Sequence, residues 1–458
     1  MEPAITRSEN RQGWITLVAL GLTLLLGGGG SPAPLPEIVL QLATLALFVG
    51  WFWHLPGGFS RLVPAPARIV AGILLVVPMV QLIPLHPALW QQLPGRGIQA
   101  EALALIGHQD SWRPISLVPA RTVSAFLAMV SAAALLVMAS VMPAALRWRP
   151  IALIAGFGIV TLVLGAAQLA SAASSPLFFY GADAVVLSGF QANRNSTADI
   201  LLIAFIASVS LIGHVAQRRR KSLSRAAVVT SAAAIAILFA LGVAMTQSRA
   251  GVLLIAVALI ASLLILRPWL AMSSRSIGIV AMGFALIAAI VWQSQSLDRV
   301  ARRFDVIADA RTDIWHDSIY VARQNAPLGV GMGGFYPAYI ANERLEAIGQ
   351  TVPNRAHNDY LELAVEAGIA GLIALAVCSA LIVRAAAVTL RSGADRHMRE
   401  ATIFAVAVLA IAGLHSLVDY PLRSMALAGV VATCAGLIFP AVRLPLRRVQ
   451  AIGERSPA

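Results

Sequence analysis

The sequence predicts an all-α polytopic membrane protein of about 12 transmembrane helices, with a large outer loop subdomain between the ninth and tenth. Three observations carry that prediction. Of the 458 residues, 59% are hydrophobic and only 12% charged, about half the charge density of a soluble domain. The apolar residues fall in runs long enough to cross a ~30 Å hydrocarbon core. The basic residues concentrate on alternate connections between those runs.

In chain order the runs are 14–28, 37–53, 67–85, 121–141, 150–171, 198–216, 226–246, 250–267, 276–293, 364–383, 401–417 and 425–442. Small residues and prolines follow the first run between Gly27 and Pro36, as they do in a signal peptide, but eleven spans stand behind it and it reads as an uncleaved helix. With the N-terminus inside, the inner segments hold 21 of the 34 basic residues, including Arg7, Arg147, Arg218 to Lys221, Arg396 and Arg447, against five acids. That is a net +16 inside, and it leaves −3 on the outer loops. Topology and anionic inner-leaflet lipid therefore account for the overall +13, and no nucleic-acid partner is implied. Cys378 and Cys434 both lie in apolar runs, which excludes a disulfide framework or a CxxC metal site. The expected units are a membrane domain 1–293, a loop subdomain 294–363, and a membrane domain with tail 364–458.

Four outer segments carry unusual sequence: 86–120, 172–197, 294–363 and 418–424. The third holds Trp315, Tyr320, Phe335, Tyr336 and Tyr339, too aromatic a set for a disordered linker, and reads as a partly helical cap. Arg194, in Gln-Ala-Asn193-Arg194-Asn195, precedes the sixth span, and Arg249, in Gln247-Ser248-Arg249-Ala250-Gly251, forms a tight turn between two apolar spans. A charge at that depth calls for a partner or a function, the bland alternative being snorkelling to lipid phosphate. His357 stands just before a helix start in Arg355-Ala356-His357-Asn358-Asp359-Tyr360-Leu361-Glu362, where Asp359 and Glu362 have the spacing of a capping box. A loop histidine is usually just solvated, but beside Arg355, Asn358, Asp359 and Tyr360 an imidazole can take a proton from a sugar hydroxyl near neutral pH. His415 and Asp419 are spaced to share one helix face, which favours a structural hydrogen bond over a metal site. The glycine-rich run Gly329 to Gly334 lacks the context of a nucleotide loop and reads as a turn or a close backbone approach to a ligand. No metal motif occurs on the outer face, and no cofactor is expected.

Arginine's planar fork suits bidentate contact with phosphate, so arginines at the membrane surface suit a lipid-tethered diphosphate. Cations placed where charge develops stabilise a departing diphosphate, and a nearby base activates the incoming hydroxyl. Residues 185–425 resemble the O-antigen ligase and O-antigen polymerase superfamily of integral membrane glycosyltransferases. The matching stretches are Gly189-Phe190 with Asn193-Arg194-Asn195, Gln247 to Gly251, Pro327 to Gly331, His357 to Glu362 with Glu366-Ala367-Gly368, and His415 to Asp419. The first 180 residues match only in hydropathy. The resemblance implies metal-independent, inverting transfer of a glycan from undecaprenyl diphosphate at the periplasmic face of the bacterial inner membrane, with both termini cytoplasmic. The acceptor is a lipid A core in a ligase or a growing polysaccharide in a polymerase, and export or chain-length proteins are conceivable partners. It makes His357 the acceptor-activating base and Arg194 and Arg249 the diphosphate-binding arginines, with Arg311 as a further contact. Asn193, Asn358, Asp359, Tyr360, His415 and Asp419 then support the site. The other reading is a solute transporter, for which twelve spans are also common; the halves show no repeat, and the unusual residues gather at one face. A non-catalytic scaffold of an export complex has no need of the Arg/Arg/His set.

Overall fold

The structure is a computed structural model that describes residues 5–29, 34–55, 58–171, 175–180, 185–219, 223–270, 305–348, 352–392 and 395–440. The predicted ninth span, 276–293, lies outside the described residues, as does the C-terminal tail. The principal helices are α1 (Arg7–Leu26), α2 (Pro34–Trp53), α3 (Ala65–Gln81), α4 (Pro119–Ser140), α5 (Trp148–Leu169), α6 (Arg194–Arg218), α7 (Arg225–Met245) and α8 (Arg249–Leu270). They continue with α9 (Asp305–Gln324), α10 (Phe335–Ile340), α11 (Asp359–Arg391), α12 (Arg396–His415) and α13 (Met425–Ile438). Two-residue strands β1 (Pro84–Leu85) and β2 (Arg113–Pro114) pair antiparallel within the first long connection.

Among the described residues eight helices are long and apolar enough to cross a membrane: α2, α4, α5, α6, α7, α8, α11 and α12. The apolar helices α3 and α13 are shorter. Each of the eleven predicted spans that fall on described residues overlaps a helix, although the third runs past Gln81 and the last past Ile438. Outward faces remain strongly apolar, with Leu42, Val49, Trp53, Val163 and Ile237 all exposed. A bilayer satisfies such a surface while each helix satisfies its own backbone. The chain is a polytopic helical membrane protein.

Helix α6 is the hub, packed against α5, α7, α8 and α12 and buried on nearly every side. A helix apolar all round belongs inside a bundle, and any charge on it needs a partner there. On the opposite flank α4 packs closely on α13, and α1 and α2 lie against this pair. The end of α1 joins the same framework, because Gly27 O accepts from Ala426 N and Gly28 O from Ala192 N, each at 2.9 Å. The connections assigned to the outer side by charge therefore meet at one end of the bundle.

The described part of 294–363 packs over that end. Ile314, Val321, Val330, Phe335, Tyr339, Ala356 and Val365 form a small apolar core of their own. Helix α11 is broken where it meets this core. Gly368 adopts φ 59°, ψ −153°, and a Cβ there would lie 2.1 Å from the Pro327 carbonyl oxygen. The groups released by the break are satisfied from outside the helix: Val330 N donates to Val365 O at 3.0 Å, Gly331 N to Glu366 O at 2.9 Å, and Ile369 N to Pro327 O at 2.9 Å. Gln81, at the end of α3, adds a bond from Nε2 to Glu366 O and accepts one from Met332 N. The glycine-rich run is thus a close backbone approach, with Gly329 against the broken helix α11, Gly331 against Ser116 and Gly333 against the Arg121 carbonyl at the start of α4.

Candidate active site

Three helix starts and one helix end build the site. Asn193 caps α6, its side chain accepting from Asn195 N at 2.8 Å, so that Arg194 is the first helical residue and half-buried. Ser248 plays the same part for α8, its hydroxyl accepting from Gly251 N at 3.1 Å, and Arg249 leads that helix on an exposed position. Gln247 turns the chain with a φ of 54°, rare for a side chain other than glycine. Gly251 lets the two starts touch, since a Cβ there would sit 2.6 Å from Ala198 Cβ. Two arginines therefore open two helices that meet in their first turns, and helix N-termini themselves favour anions.

The third start belongs to α11. Its cap is Asn358, whose Oδ1 accepts from Leu361 N at 3.0 Å, rather than Asp359. The expected capping box therefore does not form. Glu362 instead turns back to Arg355 Nη1 at 2.9 Å and Ala356 N at 3.1 Å, because a buried carboxylate gains more from a guanidinium than from a cap position. Asp359 accepts from Ser416 Oγ at 2.9 Å and Leu422 N at 3.2 Å, while Tyr360 donates to Gly413 O at 2.8 Å. These anchors tie the start of α11 to the end of α12.

Between the Ala356 and Asn358 anchors His357 is held at φ 49°. Such strain persists only where the surroundings over-determine it, and it concentrates at functional sites. Its Nδ1 lies 3.0 Å from Asp419 Oδ1, and the Tyr420 ring stands edge-on at 5.0 Å. Asp419 Oδ2 accepts from Asn195 Nδ2 at 2.7 Å, so one carboxylate joins the His357 loop to the start of α6. Burial alone would raise the Asp419 pKa, but the bond and charge of His357, with His415 and Asn195, hold it below the usual aspartate value. Burial and the Asp419 charge push the Tyr420 phenol up. An ionised Asp419 only accepts, so Nδ1 of His357 donates to it, and Nε2 is the ring nitrogen that this bond leaves unused.

His415 departs from expectation. Its Nδ1 pairs not with Asp419 but with Asp199 Oδ1 on α6 at 2.7 Å, with both side chains fully buried. Asp419 N still donates to His415 O at 2.9 Å, but the imidazole is taken by the buried Asp199 and the Asp419 carboxylate by His357 and Asn195. Arg311, on α9, brings its charge within reach of His415, and its Nε is buried with no hydrogen-bond partner among the described residues.

Sequence reasoning missed Asp199 and Arg423. Arg423 meets Glu366 at 2.8 Å and both Asp359 and Glu362 at 3.4 Å. Burial opposes its charge, yet the three carboxylates raise its pKa. A signal for each was present. Acids at 359, 362 and 366 fall on one helix face and call for a cation, and a lone Asp inside an apolar span calls for a partner.

Residues 234–376 match the O-antigen ligase family model. The match is confined to those residues, less than half of the chain, and covers Arg249, Arg311, His357 and the broken start of α11. Arg194 and Asp199 on α6, with His415 and Asp419, lie outside the matched residues, and Asp419 reaches them through its bond to His357. No curated protein matches the chain.

Proposed function

We propose that the chain is a membrane glycosyltransferase that moves a glycan from undecaprenyl diphosphate to an acceptor hydroxyl at the periplasmic face of a bacterial inner membrane. The observation that carries this reading is the His357–Asp419 pair, set beside the touching helix starts that bear Arg194 and Arg249. His357 Nε2 accepts the acceptor's proton as its oxygen forms a bond to the anomeric carbon. The bond from that carbon to the diphosphate oxygen breaks on the opposite face, which inverts the configuration. Arg194 and Arg249, with Arg311 from the cap, offset the charge growing on the leaving diphosphate. Asp419 keeps the imidazole in the right tautomer and stabilises its protonated form, as the acidic partner of a catalytic histidine does.

The family match supports glycosyl transfer of either kind, and a ligase-like role towards a lipid A core is the one we favour. The test uses purified protein reconstituted with an undecaprenyl-diphosphate oligosaccharide and a lipid A core acceptor, without added Mg²⁺ or Mn²⁺. Transfer of one glycan block to the core, lost on His357→Ala, supports the ligase. A ladder of lipid-linked glycan with no core product makes the protein a polymerase. If neither product forms from an intact donor, the glycosyl-transfer reading falls, and solute uptake into the same vesicles tests the transporter.

A further inference from the structure

At the end of α6 and α12 remote from His357, His214, His397 and Glu400 bring their ligand atoms within 4.8 Å of one another. His397 and Glu400 are spaced i,i+3 in the first turns of α12, so they share one face, and His214 faces them from the last turns of α6. The three line a small cavity closed by Trp148, Ile151 and Ser210. His214 is 7% exposed, and its Nε2 has no hydrogen-bond partner among the described residues. A buried ring nitrogen in that condition calls for an explanation. The Trp148 ring stacks on it at 5.4 Å and 17°, which fixes the plane of the imidazole.

We propose that His214, His397 and Glu400 form a structural site for a divalent ion of the Zn²⁺ class. Two imidazoles and one carboxylate, with water in the fourth position, are an accepted donor set for that ion. The carboxylate is already held as a ligand should be. Glu400 Oε1 accepts from Gln217 Nε2 and Arg396 Nε, each at 2.9 Å, which leaves Oε2 for the metal. The nearby charges of Arg218 and Arg396 oppose a cation, and the pairing of Arg396 with Glu400 offsets one of them. From His397 to His415 the axis of α12 spans about 27 Å, so an ion here takes no part in chemistry at His357. Its role is to clamp α6 to α12 at one end, as Asp199 and His415 do at the other.

The experiment titrates chelator-washed, tag-free protein in detergent micelles with Zn²⁺ alone, by calorimetry, and records the visible spectrum of the Co²⁺-loaded form. The expected result is about one ion per chain, a Co²⁺ spectrum of four-coordinate type and a raised Tm. His214→Ala or His397→Ala should each weaken binding at least about tenfold, on the scale that loss of a ligand or its support commonly costs. Should His214→Ala fail to fold, the half-buried His397→Ala and Glu400→Gln carry the test, checked by monodisperse elution. Stoichiometric binding that survives both histidine substitutions, or none in the wild type, overturns the site. A His357→Ala control keeps its zinc while losing transfer, so the two readings fail separately.

Discussion

Two histidine–aspartate pairs that join distant parts of the chain lie at the same end of the molecule, and they differ chiefly in exposure. The His357–Asp419 pair is at the rim, with the His357 side chain 26% exposed, whereas His415 and Asp199 are 0% and 1% exposed. The rim pair sits on a strained loop between two anchors, and the buried pair ties one regular helix to another. A base must reach its substrate, so under the proposed function the same two residue types serve chemistry in one place and assembly in the other. Sequence alone ranks the two histidines by motif; exposure and partner separate their roles.

The largest expected effect tests the rim pair. His357→Ala should lower glycan transfer about 10³-fold, within the range for a general base, with an unchanged melting profile. Asp419→Asn should cost about 10²-fold in rate by releasing the imidazole from its tautomer, again with the fold intact; a rate within twofold of wild type would dissolve the distinction between the pairs. His415→Ala should do the reverse, leaving Asp199 buried and unpaired and lowering stability by about 3 kcal/mol, read as a fall in Tm in one detergent. Arg249→Lys keeps the charge but loses the fork, and should reduce transfer roughly tenfold while leaving Tm in place. The smallest effect concerns pH. Asp419 has a lowered pKa when folded, so its contribution to stability is present above the unfolded value of about 3.9 and is lost as pH falls through the lower folded value. The Asp419 contribution should therefore be constant between pH 7 and about 4, so Asp419→Asn should lower Tm by the same small amount across that range and flatten the acid limb below it.

Much of the bundle was legible because the bilayer imposes it. A run of apolar residues must become a helix there, so the span from 198 to 216 and helix α6 coincide without knowledge of any contact. Helix limits were harder to read, since the tenth predicted span begins at 364 while α11 starts at Asp359 and breaks at Gly368. That break depends on Pro327, 41 residues away in the chain, and local patterning carries no trace of it. Arg194, Arg249 and His357 stood out as polar residues at span ends. The cap at Asn358, the turn of Glu362 towards Arg355 and the choice of Asp199 by His415 did not, because each is a competition among partners that only folding brings together.

The sequence by itself determined a helical membrane protein, the end of the bundle where its polar residues gather, and the residue types available there. Hydropathy and charge act along the chain, and the solvent reads them one segment at a time. Tertiary structure alone decided which aspartate each histidine holds, that one arginine, Arg423, answers three carboxylates, and that two arginine-led helices begin in contact. Hydrogen bonds and ion pairs act over a few ångströms, and the distances between residues hundreds of positions apart exist only in the folded chain.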